Sequence, residues 1–169
     1  KGWQEKIGPS NEPLAHSDNP KIQKLPPHAS ISAWASVNFI KEEVKNILGP
    51  NRGNSVTKLT NSLILAMAHH HKPGVEECPS YEFIPEWEEV VKDTLKSAGL
   101  CINRVDKICP KLDIAQKLDS KGISPMPDLK SELYYRTYLW LVRNLRIADW
   151  KAVGGEDAIS DFEKRYGNF

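Results

Sequence analysis

The 169-residue sequence has few cysteines, little net charge and no long apolar run. Its three cysteines, Cys78, Cys101 and Cys109, are odd in number and lack a repeating spacing. This pattern argues against a disulfide framework and favours reduced thiols in an intracellular chain. The longest apolar run, residues 63–68, is too short to span a bilayer, so we expect no membrane partner. Residues 1–11 are polar and charged, so we expect no signal peptide.

The motifs of common enzyme classes are also missing from the sequence. It contains no nucleophile elbow, phosphate-binding loop, dinucleotide-binding glycine fingerprint or HExxH motif. Glu86 and Glu89 are two carboxylates at helical spacing, but a solvated helix face explains them better than acid–base catalysis does. The sequence therefore predicts a protein that is not an enzyme and that uses no cofactor.

The charge balance restricts the class of binding partner. Lysine and arginine number 23 against 22 acidic residues, which gives a net charge of +1. A domain dedicated to double-helical nucleic acid is usually more basic than this. Near-neutrality still permits a few phosphate contacts per copy, and it favours association between copies, because they repel one another little.

The composition is that of a globular protein, with 40% hydrophobic and 27% charged residues. Residues 1–30 differ from the rest because they lack hydrophobic periodicity and contain five prolines: Pro9, Pro13, Pro20, Pro26 and Pro27. We predict an extended N-terminal arm at residues 1–30 and a helical core at residues 31–169. A loose terminus and an arm that grips a neighbouring molecule both fit this pattern.

Apolar residues recur at every third or fourth position through most of the core. This spacing predicts helices at about residues 32–48, 55–71, 85–98 and 128–153. The inner stripe of the first is predicted to be Trp34, Val37, Ile40, Val44, Ile47 and Leu48. That of the second is predicted to be Val56, Leu59, Leu63 and Met67, which His70 can extend. Gly49 and Gly99 are expected to end the first and third helices, and Asn54 or Ser55 to cap the second. Gly154 and Gly155 are expected to separate the long helix from a short C-terminal helix.

These elements predict an all-α fold: an antiparallel four-helix bundle with an extended N-terminal arm and a short C-terminal helix. Residues 81–84 alternate in a way that fits a short strand. Residues 100–109 have helical spacing, and Pro110 then either breaks the helix or starts a second short one. The third helix should turn Trp87, Val91 and Leu95 inward. The inner stripe of the long helix is predicted to be Leu129, Leu133, Trp140, Leu141, Asn144, Leu145 and Ala148.

The run His69-His70-His71 is the most conspicuous candidate for metal binding. Consecutive helical residues point about 100° apart, so three neighbours do not face one ion. Cys78 would approach them only if the intervening loop brought it back. We therefore expect no metal site, with the imidazoles placed at a helix C-terminus where positive charge suits the helix dipole.

Three arginines of the long helix share one face: Arg136, Arg143 and Arg146 follow at spacings of seven and three. Arginine binds phosphate through two parallel hydrogen bonds and stacks on bases. Arg136 and Arg143 are therefore candidate RNA-binding residues, while Arg146 has the alternative of pairing with Asp149. An ordinary salt-bridged surface remains open for each of them.

The C-terminal segment, residues 161–169 with the sequence DFEKRYGNF, resembles the closing element of rod-shaped plant RNA virus coat proteins. These are the tobacco mosaic virus-like group and its tobravirus, furovirus and benyvirus relatives. As in that family, the segment follows a long apolar helix, and the helix led by Trp34 resembles the family's N-terminal helix. Residues 140–154 are also similar to flexible filamentous virus coat proteins, although the Phe-Asp element of those proteins is missing here.

The resemblance implies a coat protein that assembles helically from its own copies and packages single-stranded RNA, in virions and in the host cytoplasm. Asn103, Arg104 and Asp106 match by position the family's RNA contacts at an inner turn, and they join Arg136 and Arg143 as candidate RNA-binding residues. The break at Pro110 departs from the family's smoother helix. The alternative function is a helical adaptor or scaffold domain that binds a partner protein, and an enzyme built on residues 69–71 with Cys78 ranks last.

Overall fold

The computed structural model describes residues 28–71, 77–99 and 104–166, with only the backbone for residues 150–166. Within these residues there are four helices: α1 (His28–Leu48), α2 (Gly53–His69), α3 (Trp87–Ser97) and α4 (Glu132–Tyr166). Two-residue strands β1 (Tyr81–Glu82) and β2 (Lys111–Leu112) pair antiparallel, with Tyr81 opposite Leu112. Two 3-10 turns follow α3, at Val105–Lys107 and Leu118–Lys121. The predicted all-α class and the predicted short strand are confirmed.

The hairpin of α1 and α2 begins and ends close to the predicted positions. Gly49 takes a φ of 85°, a left-handed conformation that glycine adopts without penalty, and α1 ends there as predicted. The start of α2 differs, because Arg52 occupies the cap position and makes no side-chain cap hydrogen bond. The helix α1 begins at His28 and so includes the last three residues of the predicted arm; residues 1–27 lie outside the described residues.

The core is built around α2, which packs against α1 on one side and α4 on the other. Ile64 and Leu65 of α2 are fully buried. The core cluster also takes residues from α1, α2 and the loops: Ala33, Trp34, Val37, Ala68, Cys78, Leu118 and Ile123. Because α2 lies between two helices, it is buried over more than one face, and Leu63 on the predicted stripe is less buried than Ile64 beside it.

The predicted inner face of α4 and the loop before it is wrong at five of its seven residues, and only Leu141 and Leu145 are half-buried. Leu129, Leu133 and Trp140 are 62%, 69% and 64% exposed. Tyr138 packs against the core cluster instead, and Val142 is buried. The tyrosine is accommodated because its hydroxyl forms a 2.8 Å hydrogen bond with Nδ1 of His69, which removes the cost of burying an unpaired polar atom.

The predicted short C-terminal helix is also wrong, because α4 runs without interruption through Gly154 and Gly155 to Tyr166. Glycine inside a helix costs about 1 kcal/mol relative to alanine, which two residues in a 35-residue helix can absorb. None of the α3 residues is buried, and Trp87, Val91 and Leu95 are only half-buried. The helix α3 packs on the first 3-10 turn, so the predicted four-helix bundle is not confirmed.

Among the helices that the structure describes, none combines the length and the apolar character required to cross a bilayer.

The two described cysteines should differ sharply in reactivity. Cys78 is fully buried, and burial, helped by the nearby Cys109, raises the pKa of its thiol to about 12. Cys109 is only half-buried, with its thiol donating to the Lys111 carbonyl at 3.1 Å. Because the thiolate is the reacting species, we expect iodoacetamide to alkylate Cys109 at least about tenfold faster than Cys78 in the folded protein. Mass spectrometry of the peptides measures both rates. After denaturation the two thiols should react at similar rates, and similar rates in the folded protein would contradict this prediction.

Candidate functional site

The side of α4 that points away from α2 carries a row of apolar and basic side chains. Leu133, Arg136, Trp140 and Arg143 follow at spacings of three, four and three, which places them along one face of a helix with 3.6 residues per turn. All four side chains are exposed. We call this row the outer face of α4. Large apolar side chains that cluster on an exposed surface often mark a binding site.

The basic residues of the outer face flank the indole. Arg136 lies four residues before Trp140, and Arg143 lies three residues after it. The Arg136 guanidinium pairs with Glu132 one turn earlier, and both side chains are about three-quarters exposed. Exposed pairs of this kind contribute about 0.3–0.5 kcal/mol, so a phosphate can replace the carboxylate at little cost.

The other predicted RNA-binding residues lie elsewhere. Arg104 pairs with Glu42 of α1 at 3.5 Å, and Asp106 pairs with its neighbour Lys107 at 3.1 Å. Both belong to the first 3-10 turn and its entry, which packs against α1 and α3, whereas α4 packs on α2. Asn103 lies outside the described residues. The structure therefore brings Arg136 and Arg143 together and keeps Arg104 and Asp106 on a separate part of the surface.

Arg146 leaves the face that it was predicted to share. Its Nε donates to the carbonyl of His70 at 2.6 Å, and its Nη2 donates to the carbonyl of His69 at 3.4 Å. The last carbonyls of a helix have no partner within the helix, so this guanidinium caps the C-terminus of α2 from α4. The pairing with Asp149 that the spacing suggested is replaced by this cap.

A second constellation gathers where α1 begins, α2 ends and α4 passes. His28 comes from the first residue of α1, His70 and His71 follow α2, and Asp149 projects from α4. One ligand atom from each lies within 4.8 Å of the others. His70 is buried and the other three are partly exposed, with side-chain exposures of 25% for His28, 39% for His71 and 16% for Asp149. Among the described residues, these four could hold a metal ion.

Of the three consecutive histidines, only His69 turns away from the cluster. Its ring turns toward Tyr138, and burial, with the nearby Arg146 guanidinium, lowers its pKa. His28 and Asp149 were not predicted as metal ligands. They meet His70 and His71 only because α1 and α4 both pack against α2. No spacing in the sequence signals this meeting, since the partners come from opposite ends of the described chain. Cys78 joins the core cluster instead.

Comparison of this chain with protein-family models, with curated proteins and with solved structures finds no match.

Proposed function

We propose that this chain is a viral coat protein that assembles helically from its own copies and packages single-stranded RNA. The observation that supports this most directly is the outer face of α4, where Trp140 is exposed between two arginines. Arginine matches phosphate oxygens, and an indole stacks on a base of any identity. A row of this composition suits an RNA strand bound without sequence preference.

Self-association is supported by the apolar residues on and beside the same face. Leu129, Leu133 and Leu139 are exposed along with Trp140, and the net charge of +1 gives copies little mutual repulsion. Tryptophan is enriched among residues that dominate protein interfaces. In the proposed assembly a neighbouring copy covers the leucines, and helices from adjacent copies complete the antiparallel four-helix bundle. Arg104 and Asp106 would form a second RNA contact, which only the resemblance to rod-shaped virus coat proteins suggests.

Removing the two arginines of the outer face should weaken RNA binding in a salt-dependent way. We expect the Arg136→Gln/Arg143→Gln double variant to bind single-stranded RNA more weakly than the unchanged chain. Each lost phosphate contact reduces the magnitude of the slope of log affinity against log salt by about 0.7 for a single strand, so the magnitude should fall by about 1.4. Fluorescence anisotropy with a labelled oligonucleotide over a range of salt concentrations measures both quantities.

The matched control removes the same charge elsewhere. Lys92 and Lys96 lie on α3, and Lys92 pairs with Glu88 on an exposed surface. The Lys92→Gln/Lys96→Gln variant should keep the salt slope of the unchanged chain. A slope that fell equally in both double variants would show diffuse attraction and no RNA site on α4. Negative-stain electron microscopy tests assembly itself: rods or filaments that Trp140→Ala abolishes support the proposal, and a monomer under all conditions contradicts it.

The second candidate function is a helical adaptor or scaffold that binds a partner protein. Leu133 and Trp140 favour it, because they lie exposed seven residues apart on α4, as the anchors of a helix that docks in a groove do. It differs in two outcomes: the purified chain retains no RNA, and it forms a small oligomer of defined size.

A further inference from the structure

The hydrogen-bonding geometry around the histidine cluster determines which ring atoms are available to a metal ion. Nδ1 of His70 lies 2.6 Å from the carbonyl oxygen of Met67. A carbonyl only accepts, so this Nδ1 carries the hydrogen and donates it. In the neutral ring the Nε2 of His70 is therefore left with a lone pair, and it lies 3.3 Å from Nε2 of His28.

His71 is held in the same way by Asp149. Its Nδ1 lies 3.3 Å from Oδ2 of that carboxylate, which also only accepts. The Nε2 of His71 consequently presents a lone pair, 2.7 Å from Nε2 of His28. Imidazoles that bind metal through one nitrogen usually donate from the other to a carbonyl or carboxylate, which is the arrangement of both His70 and His71.

When all three rings are neutral, one hydrogen cannot make full hydrogen bonds across both of these contacts. Two lone pairs, on His70 and His71, face the single Nε2 of His28, which carries one hydrogen at most. A cation placed between the three nitrogens accepts all three lone pairs at once. Two nitrogens bound to one tetrahedral zinc ion lie about 3.3 Å apart, given zinc–nitrogen bonds of about 2.0–2.1 Å. The separation between His28 and His70 has this value, whereas the 2.7 Å between His28 and His71 is shorter, so zinc binding requires the exposed His71 ring to move outward.

We propose that His28, His70 and His71 bind a zinc ion through their Nε2 atoms, with Asp149 as the carboxylate that orients His71. Zinc is one of the divalent metals that neutral imidazole binds well. Because zinc is usually bound by four ligands, three nitrogens leave the fourth position to water. The ion joins the first residue of α1 to the two residues that follow α2, and α4 contributes through the Asp149 carboxylate beside His71. This site lies apart from the outer face of α4 and does not depend on RNA binding.

Zinc binding is tested first on the unchanged chain, stripped of metal with a chelator and dialysed. Isothermal titration calorimetry with zinc chloride should show one ion per chain, and elemental analysis after gel filtration should find the same ratio. Because zinc binds the folded state, the melting temperature should rise with zinc concentration. A chain that retains no zinc and melts at one temperature throughout would overturn the proposal.

The location of the ion is tested with single variants. His28→Gln, His70→Gln and His71→Gln should each abolish stoichiometric binding, whereas Asp149→Asn should weaken it about 10–100-fold, as loss of an outer ligand partner does. His69→Gln is the matched control, since that ring faces Tyr138, and it should bind zinc like the unchanged chain. Equal affinity in all five variants, or equal loss in the control, would contradict the assignment.

A chemical test avoids variants that fail to fold. Diethyl pyrocarbonate acylates accessible imidazole nitrogens, and the partly exposed His28 and His71 should react in the metal-free chain. Zinc should protect both rings, as mapped by mass spectrometry of the peptides. Identical acylation with and without zinc would show that the ion, if bound at all, lies elsewhere.

Discussion

Replacing Ile64 with alanine should lower the free energy of unfolding by about 2–5 kcal/mol, the range for buried large-to-small substitutions. The Ile64 side chain is 0% exposed and lies in the cluster that joins α1, α2 and the second 3-10 turn. The substitution removes apolar area that had been withdrawn from water and leaves a cavity that rigid neighbours fill only in part. Urea unfolding followed by circular dichroism measures the loss, with a chelator present so that bound metal does not contribute.

Ile47 supplies the matched control in the same kind of element. It occupies the last turn of α1 and is 78% exposed, so the Ile47→Ala substitution removes almost no buried apolar area. Surface substitutions of this kind usually change stability by less than about 0.5 kcal/mol. If the two alanine variants unfolded at the same urea concentration, the cluster around α2 would not be the core of this chain.

The elements that could be predicted from the sequence are those whose signals are local. Gly49 ends α1 because only glycine takes a left-handed conformation without strain, and that constraint is visible in one residue. The stripe predicted on α1 is confirmed in part: Trp34, Val37 and Val44 are buried. Ile40 and Leu48 are half-buried, and Ile47 in the last turn is exposed, so the prediction is wrong there. The main neighbour of α1 is α2, and the two 3-10 turns pack on α1 as well, so its apolar residues mark its inner side over most of its length.

The face of α4 could not be predicted in the same way. An exposed row containing Leu133 and Trp140 has the helical spacing of a core stripe, while Tyr138 on the buried side carries a polar hydroxyl. Periodicity ranks the tryptophan row as the more apolar side. Only the partner atom on His69 makes the tyrosine side suitable for burial, and that partner belongs to α2. Because the buried and exposed sides of α4 are exchanged relative to the prediction, Trp140 lies at the centre of the candidate RNA-binding face and not in the core.

The histidine cluster shows a further limit of sequence reasoning. Spacing within residues 69–71 excludes one ion bound by all three rings, and the structure agrees for His69. That spacing gives no information on His28, which lies 42 positions before His70, or on Asp149, which lies on another helix. Metal ligands that meet through tertiary packing have no common period. The sequence could therefore suggest the histidines as candidates but could not show which of them converge.

The end of α2 is the point at which these features meet, and Arg146 fixes its backbone. The guanidinium holds the carbonyls of His69 and His70, so it sets the direction from which the His70 and His71 rings leave the chain. Arginine donates through a rigid planar fork, which allows one side chain to serve two neighbouring carbonyls. In this role Arg146 is a positioning residue for the cluster and a cap for the helix.

Arg146→Met should lower the free energy of unfolding by about 1.5–3 kcal/mol, the range for hydrogen bonds to a charged group. Methionine keeps much of the apolar stem but leaves the two carbonyls without their donor, and it removes a positive charge from the negative end of the α2 dipole. Urea unfolding in the presence of a chelator isolates this effect from metal binding. Arg136→Met is the control, because its exposed pair with Glu132 is worth about 0.5 kcal/mol at most. Arg146→Lys should recover part of the loss, since it restores the charge without the fork. Equal stability of the two methionine variants would show that the contact between α4 and the end of α2 does not hold in solution.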